Sequence, residues 1–124
     1  MNDPKKFRIP KEFTLFGHKY SVVLEDDLFS KQDCYGMADD DTKIINIQKC
    51  GNFVKIRTGD LENKSAVEVK VTDEVMIETF YHELIHIILY ALGEDDLSEK
   101  EKFVNMLGKA MLEIYLSSKY EEEK

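Results

Sequence analysis

The chain has 124 residues, 43% of them hydrophobic and 34% charged, and a formal net charge of −8. That length suits a single domain spanning residues 1–124 with one modest core, and the composition is that of a folded chain. The acidic balance argues against nucleic acid as a partner, because phosphate binding needs clustered Lys and Arg; it serves solubility instead.

Taken in chain order, the opening MNDPKKFRIP has no apolar segment, so no secretory signal is expected. EFTLFGHKYSVVLEDD reads as a hairpin around Gly17-His18. Phe13 and Leu15, then Tyr20, Val22 and Leu24, follow a period of two, and His18 falls at the turn. LFSKQDCYGMADDDT reads mainly as loop, with Asp39, Asp40 and Asp41 at a turn. Three adjacent carboxylates suggest calcium, but the alternating oxygen ligands and central Gly of a calcium loop are missing. KIINIQK, NFVKIRTG and AVEVKV read as strands, with DLENKS as a turn before the last.

From about Asp73 to Leu92 the period becomes helical, with Gly93 as its C-terminal cap. EDDLS is a short connection. A second helix, about Glu99 to Lys119, carries Phe103, Leu107, Ala110, Met111 and Ile114 on one face, which is expected to be its buried side. Strands first and two helices last make an α+β fold: a small antiparallel or mixed sheet followed by two helices. The longest apolar run, Leu84 to Leu92, is too short to cross a bilayer and contains His86. Cys34 and Cys50 are too few for a disulfide framework and have no metal-binding spacing. They read as free thiols of a cytoplasmic protein.

The chemistry concentrates in the first helix. His82 and His86, two of only three histidines, stand four residues apart, so both rings reach one ion from a single helical face. Glu83 lies about 100° further round the helix. It is badly placed as a ligand and well placed to take a proton from a water at the same ion. The surrounding helix is apolar nearly all round, and a glutamate buried there needs a polar partner. A zinc site with His82 and His86 as ligands and Glu83 as general base is therefore expected.

A catalytic zinc needs a third protein ligand and one open position. Glu94, Asp95, Asp96, Glu99 and Glu101 are the available carboxylates. A helical wheel centred on the apolar face prefers Glu99, at its edge, and puts Glu101 on the opposite shoulder. Ser98 with Glu101 three residues on also reads as a capping box, though Lys102 is not the apolar residue its staple would want.

HELIH followed by EKFVNMLGKAML resembles the gluzincin metallopeptidases, in particular the small phage-type and repressor-cleaving ImmA/IrrE-like ones. In that pattern the ligand glutamate is followed by a small or β-branched residue, an Asn and a second small residue. Val104, Asn105 and Gly108 stand at those places after Glu101. The resemblance implies that Glu101 is the third ligand and that Gly108 lets the helices approach. YGMADDDTKIINIQK is similar to the strand along the cleft of such enzymes, and IPKEFTLFGHKYSVVL to their opening hairpin. Residues 50–68 fall outside the resemblance, as an insertion. Ile87 departs from it, being bulky where a small residue often follows the ligand histidine.

The expected activity is zinc-dependent peptide hydrolysis, with a protein or peptide as substrate. Tyr35, Tyr81, Tyr90 and Tyr115 are candidates for a second oxyanion donor. TKIINIQK is either a strand that pairs with an extended substrate or an ordinary strand of the sheet. Two other readings compete: a non-catalytic, zinc-stabilised binding module on a peptidase-like scaffold, and a metal-free acidic binding protein. Glu83 distinguishes the first of these, since a structural zinc site has no use for a general base.

Overall fold

The structure is a computed structural model, and it describes residues 9–58, 65–119 and 121. The fold is α+β. A four-stranded mixed sheet and a separate two-stranded ribbon precede the two long helices.

Strands β1 (Glu12–Leu15) and β2 (His18–Glu25) form the expected hairpin. Its turn is Phe16-Gly17, both at positive φ (49° and 82°), the conformation that matches the twist of a two-residue hairpin loop. His18 is therefore the first residue of β2, opposite Leu15, and not a turn residue. The stretch expected to be mainly loop contains a short helix, α1 (Leu28–Gln32), and a strand, β3 (Gly36–Asp39). Only Asp40 to Lys43 make the turn, with Asp39 Oδ1 accepting from the backbone N–H groups of Asp41 and Thr42. A four-residue strand rich in Gly and Asp carries too little periodicity to stand out from loop.

β4 (Ile44–Gln48) runs parallel to β2 and antiparallel to β3, giving the order β1-β2-β4-β3. Both edges of β4 are thus paired, so the TKIINIQK strand has no edge to offer a substrate; the outer strand beside it is β3. β5 (Phe53–Thr58) and β6 (Ser65–Lys70) pair with each other as the ribbon. The intervening DLENKS turn lies largely outside the described residues.

Helix α2 (Asp73–Ala91) begins at Thr72, whose hydroxyl caps the backbone N–H of Val75, and ends before Gly93 at φ 77°. It lies across the sheet. Tyr20, Val22, Ile45 and Ile47 from the strands close a core with Phe80 and Ile87. EDDLS is a helical turn, α3 (Asp95–Ser98), rather than a plain connection, and the last helix is α4 (Glu101–Ser117).

The orientation of α4 differs from expectation. Val104 and Gly108 are its buried residues, whereas Phe103, Leu107, Ala110 and Ile114 face outward, Ile114 with 64% of its surface exposed. Of the expected buried stripe, only Met111 is partly covered. The apolar count on the wheel was outweighed by fit. The face of α4 with Val104 and Gly108 lies against the α2 backbone, where a methyl group at 108 would sit in ordinary contact, 3.7 Å from His82 Cα and N. Cys34 and Cys50 are both free thiols. Among the described residues, no helix is long and apolar enough to cross a membrane.

Candidate metal centre

The site forms where α2 meets the α3–α4 junction and the end of β3. The i, i+4 spacing turns both imidazoles the same way, and their Nε2 atoms stand 3.2 Å apart. Glu101, at the first position of α4, reaches back to the pair. Its Oε2 is 3.3 Å from His82 Nε2 and its Oε1 is 3.1 Å from His86 Nε2. These three residues are the one group of His, Cys, Asp or Glu side chains found among the described residues that are close enough to share an ion.

The donor set fits zinc. Two ligand bonds of about 2.0–2.1 Å at a tetrahedral angle hold their nitrogens roughly 3.3–3.4 Å apart, close to the separation seen here. Two nitrogen donors and a carboxylate oxygen also match a common catalytic zinc set. Glu101 is 63% exposed on its side-chain surface, so the ligand triangle opens outward on one side.

The turn of α4 that defeats the apolar stripe is the same one that brings Glu101 inward. The capping-box reading of Glu101 fails at the same point: Lys100 is the N-cap of α4, and no side chain caps it.

Glu83 is 9% exposed and comes within 3.9 Å of His82 Nε2. Burial, reinforced by the charge of Glu101, raises its carboxyl to about 7. His82 is shifted the other way: burial and the neighbouring His86 lower its pKa, partly opposed by Glu101. Both shifts belong to the metal-free side chains.

Two polar groups missed by pattern reading stand beside the rings. Asn105, one turn further along α4, lines the same cavity wall as His82. Ser98 Oγ lies 3.0 Å from His86 Nδ1. Asn105 had a signal, its place in the resemblance, but no assigned role. Ser98 had only the misleading signal of the cap.

A cavity of about 400 Å³ lies on the His82 side of Glu83, lined by Cys34, Tyr35, Gly36, Thr79 and Asn105 among others. Another of about 500 Å³ lies on the His86 side, lined by Met37, Ala38, Ile87, Tyr90 and Ser98 among others. β3 and Glu83 border both cavities, which together make the cleft beside that strand. Of the four tyrosine candidates, Tyr35 and Tyr90 line this cleft from opposite ends. Tyr81 packs against Phe80, and the Tyr115 hydroxyl is buried. Ile87 is buried in the core and also forms part of the wall of the second cavity. Burial also raises the Cys34 thiol, helped by the charge of Glu83, which leaves the thiol protonated and weakly nucleophilic. No known protein family, curated protein or solved structure matches this chain.

Proposed function

We propose that this protein is a zinc-dependent peptidase. The observation that carries the reading is a buried carboxylate, Glu83, beside an outward-opening His82–His86–Glu101 triangle. A purely structural zinc site is closed by four protein ligands and needs no base.

His82, His86 and Glu101 would hold the ion. Once bound, zinc supplies Lewis acidity, activating a water towards neutral pH and stabilising developing negative charge on the substrate carbonyl. Glu83 accepts the proton of the attacking water and returns it to the leaving amine. Its burial suits the task, because a carboxylate withdrawn from bulk water holds the proton it takes up until the amine leaves.

The substrate backbone pairs with β3, the outer strand of the sheet beside the site. Gln48 N–H bonds to Tyr35 O, which makes 35 and 48 a hydrogen-bonded pair. Alternation along the ladder then turns the backbone groups of Gly36 and Ala38 away from β4, towards the cleft.

The test joins metal content and cleavage. Protein purified without chelator should carry about one zinc per chain, as one such site implies. It should also cleave an unfolded protein such as casein or members of a peptide library. Glu83→Gln should keep its zinc and fold while losing about 10²–10⁴-fold in turnover. Zinc binding without cleavage would favour the binding-module reading, and no zinc binding even after reconstitution would exclude both.

A further inference from the structure

We infer that Ser98 is a positioning residue that fixes the tautomer and direction of His86 at the proposed metal centre. The inference rests on that centre for its purpose, but its geometry is independent of any ion.

Ser98 is the last residue of α3 and only 9% exposed. A hydroxyl buried this deeply needs partners, and both of those found are on one residue. Ser98 Oγ is 3.0 Å from His86 Nδ1 and 3.4 Å from the His86 backbone oxygen. The hydroxyl has one proton to give. With a metal held on Nε2 the ring carries its proton on Nδ1, 3.0 Å from Oγ, and the hydroxyl proton turns to the longer contact with His86 O. The lone pairs of Oγ are then left to accept from Nδ1–H. A neutral imidazole protonated at Nδ1 carries its lone pair on Nε2. That is the nitrogen 3.2 Å from His82 Nε2 and 3.1 Å from Glu101 Oε1. The opposite arrangement, with the hydroxyl donating to Nδ1, would put the ring proton on Nε2 and close His86 to a metal.

Position along the chain strengthens the assignment. Ser98 and Glu101 stand three residues apart on one short stretch, and both meet His86. Docking of the α3–α4 junction onto α2 therefore delivers a ligand and orients the His86 ring in one step. Ser98 is free for this work because it caps nothing: α4 starts at Lys100 without a side-chain cap.

The experiment has two arms. Nitrogen-15 NMR of the imidazole rings in zinc-loaded wild-type protein should show His86 bound to the metal through Nε2 and protonated at Nδ1. Zinc affinity, measured by competition with a chromophoric chelator, should fall about 10–100-fold in Ser98→Ala, the usual cost of losing such a partner. Ser98→Thr keeps the hydroxyl and should restore most of that loss, which a merely structural role of residue 98 would not require.

A zinc-loaded wild type with His86 bound through Nδ1 overturns the inference whether or not any variant folds. So does Ser98→Ala protein with unchanged zinc affinity, or Ser98→Thr protein that folds like wild type and binds zinc no better than Ser98→Ala. A wild type that binds no zinc overturns the proposed function, while a shift of the His86 ring nitrogens in metal-free Ser98→Ala keeps the positioning contact standing.

Discussion

Gly36 and Glu83 approach so closely that a single methyl group on Gly36 would stand 3.1 Å from Glu83 Cγ and 2.5 Å from Thr79 Cγ2. The missing side chain brings β3 down onto α2 at the position of the proposed base. Strand and carboxylate are thereby set at a fixed distance, as a site needs if a substrate held by the strand is to meet the base. Gly36→Ala should push β3 outward, at a cost of about 1–3 kcal/mol of stability. Turnover should fall while zinc content stays near wild type, because the ligands lie on α2 and α4. Adding Thr79→Ser removes the closer obstacle and should recover part of both losses. Thermal melts and turnover of the single and double variants check this. A Gly36→Ala enzyme as active as wild type would show that β3 does not position the substrate against Glu83.

The third ligand is the next test. Glu101 Oε1 and Oε2 each face one histidine nitrogen, at 3.1 and 3.3 Å. Glu99 is an exposed residue that ends α3. Glu101→Ala should weaken zinc binding far more than Glu99→Ala, with the latter close to wild type. Isothermal titration of both metal-free variants with zinc makes the comparison, and the reverse order would restore the wheel-based choice.

Why the wheel misled is instructive. His82, Glu83 and His86 were legible because their geometry is local: one helix and one spacing suffice to predict which atoms converge. The hairpin β1–β2 and helix α2 were legible for the same reason. α4 was legible as a helix but not in its rotation. Its side chains are apolar over most of the circumference, running from Phe103, Leu107 and Ile114 through Met111 and Val104 round to Leu112. Hydrophobicity does not choose between such faces. Packing against α2 at Gly108 does, and that is a tertiary fact. β3 was lost for another reason: four residues, two of them Gly and Asp, form a strand only because β4 supplies the partner. Ser98 was assigned to a helix end on pattern alone, while its true partner lies twelve residues back in the chain.

The assignment of β3 as the substrate-pairing strand makes a prediction about a single N–H. Ala38 presents its backbone away from β4, whereas Met37 is in the hydrogen-bonded register with Asn46. Ala38→Pro removes an outward-facing donor and spares the ladder, and proline is tolerated on an edge strand. It should leave the melting temperature nearly unchanged and raise KM for long peptides several-fold. Met37→Pro breaks the ladder and should destabilise the fold. If Ala38→Pro cleaves long peptides with wild-type KM, the substrate does not pair with this strand.

The last prediction uses the two displaced pKa values in the metal-free protein. Glu83 titrates near 7 when folded, against 4.5 for an unperturbed glutamate. Between those values the folded chain holds a proton that the unfolded chain has released. The stability contributed by this group is therefore fully present below about pH 4.5 and is lost as pH rises to 7, by roughly 2–4 kcal/mol in all. His82 acts in the opposite direction. Its folded pKa lies below 6.5, so as pH falls under 6.5 the unfolded chain takes up a proton that the folded one resists, and stability drops. Chelator-treated wild type should thus lose stability on the alkaline side through Glu83 and on the acidic side through His82. Glu83→Gln has no carboxyl to ionise and should lose only the alkaline decline, becoming more stable than wild type at pH 8 and comparable to it at pH 5. Zinc should abolish the difference at pH 8, because a nearby divalent cation favours the carboxylate. Denaturant unfolding of both proteins from pH 5 to 8, with and without zinc, provides the measurement. Parallel curves for the metal-free pair would mean that burial does not hold the proton on Glu83 and that it ionises like an ordinary surface glutamate.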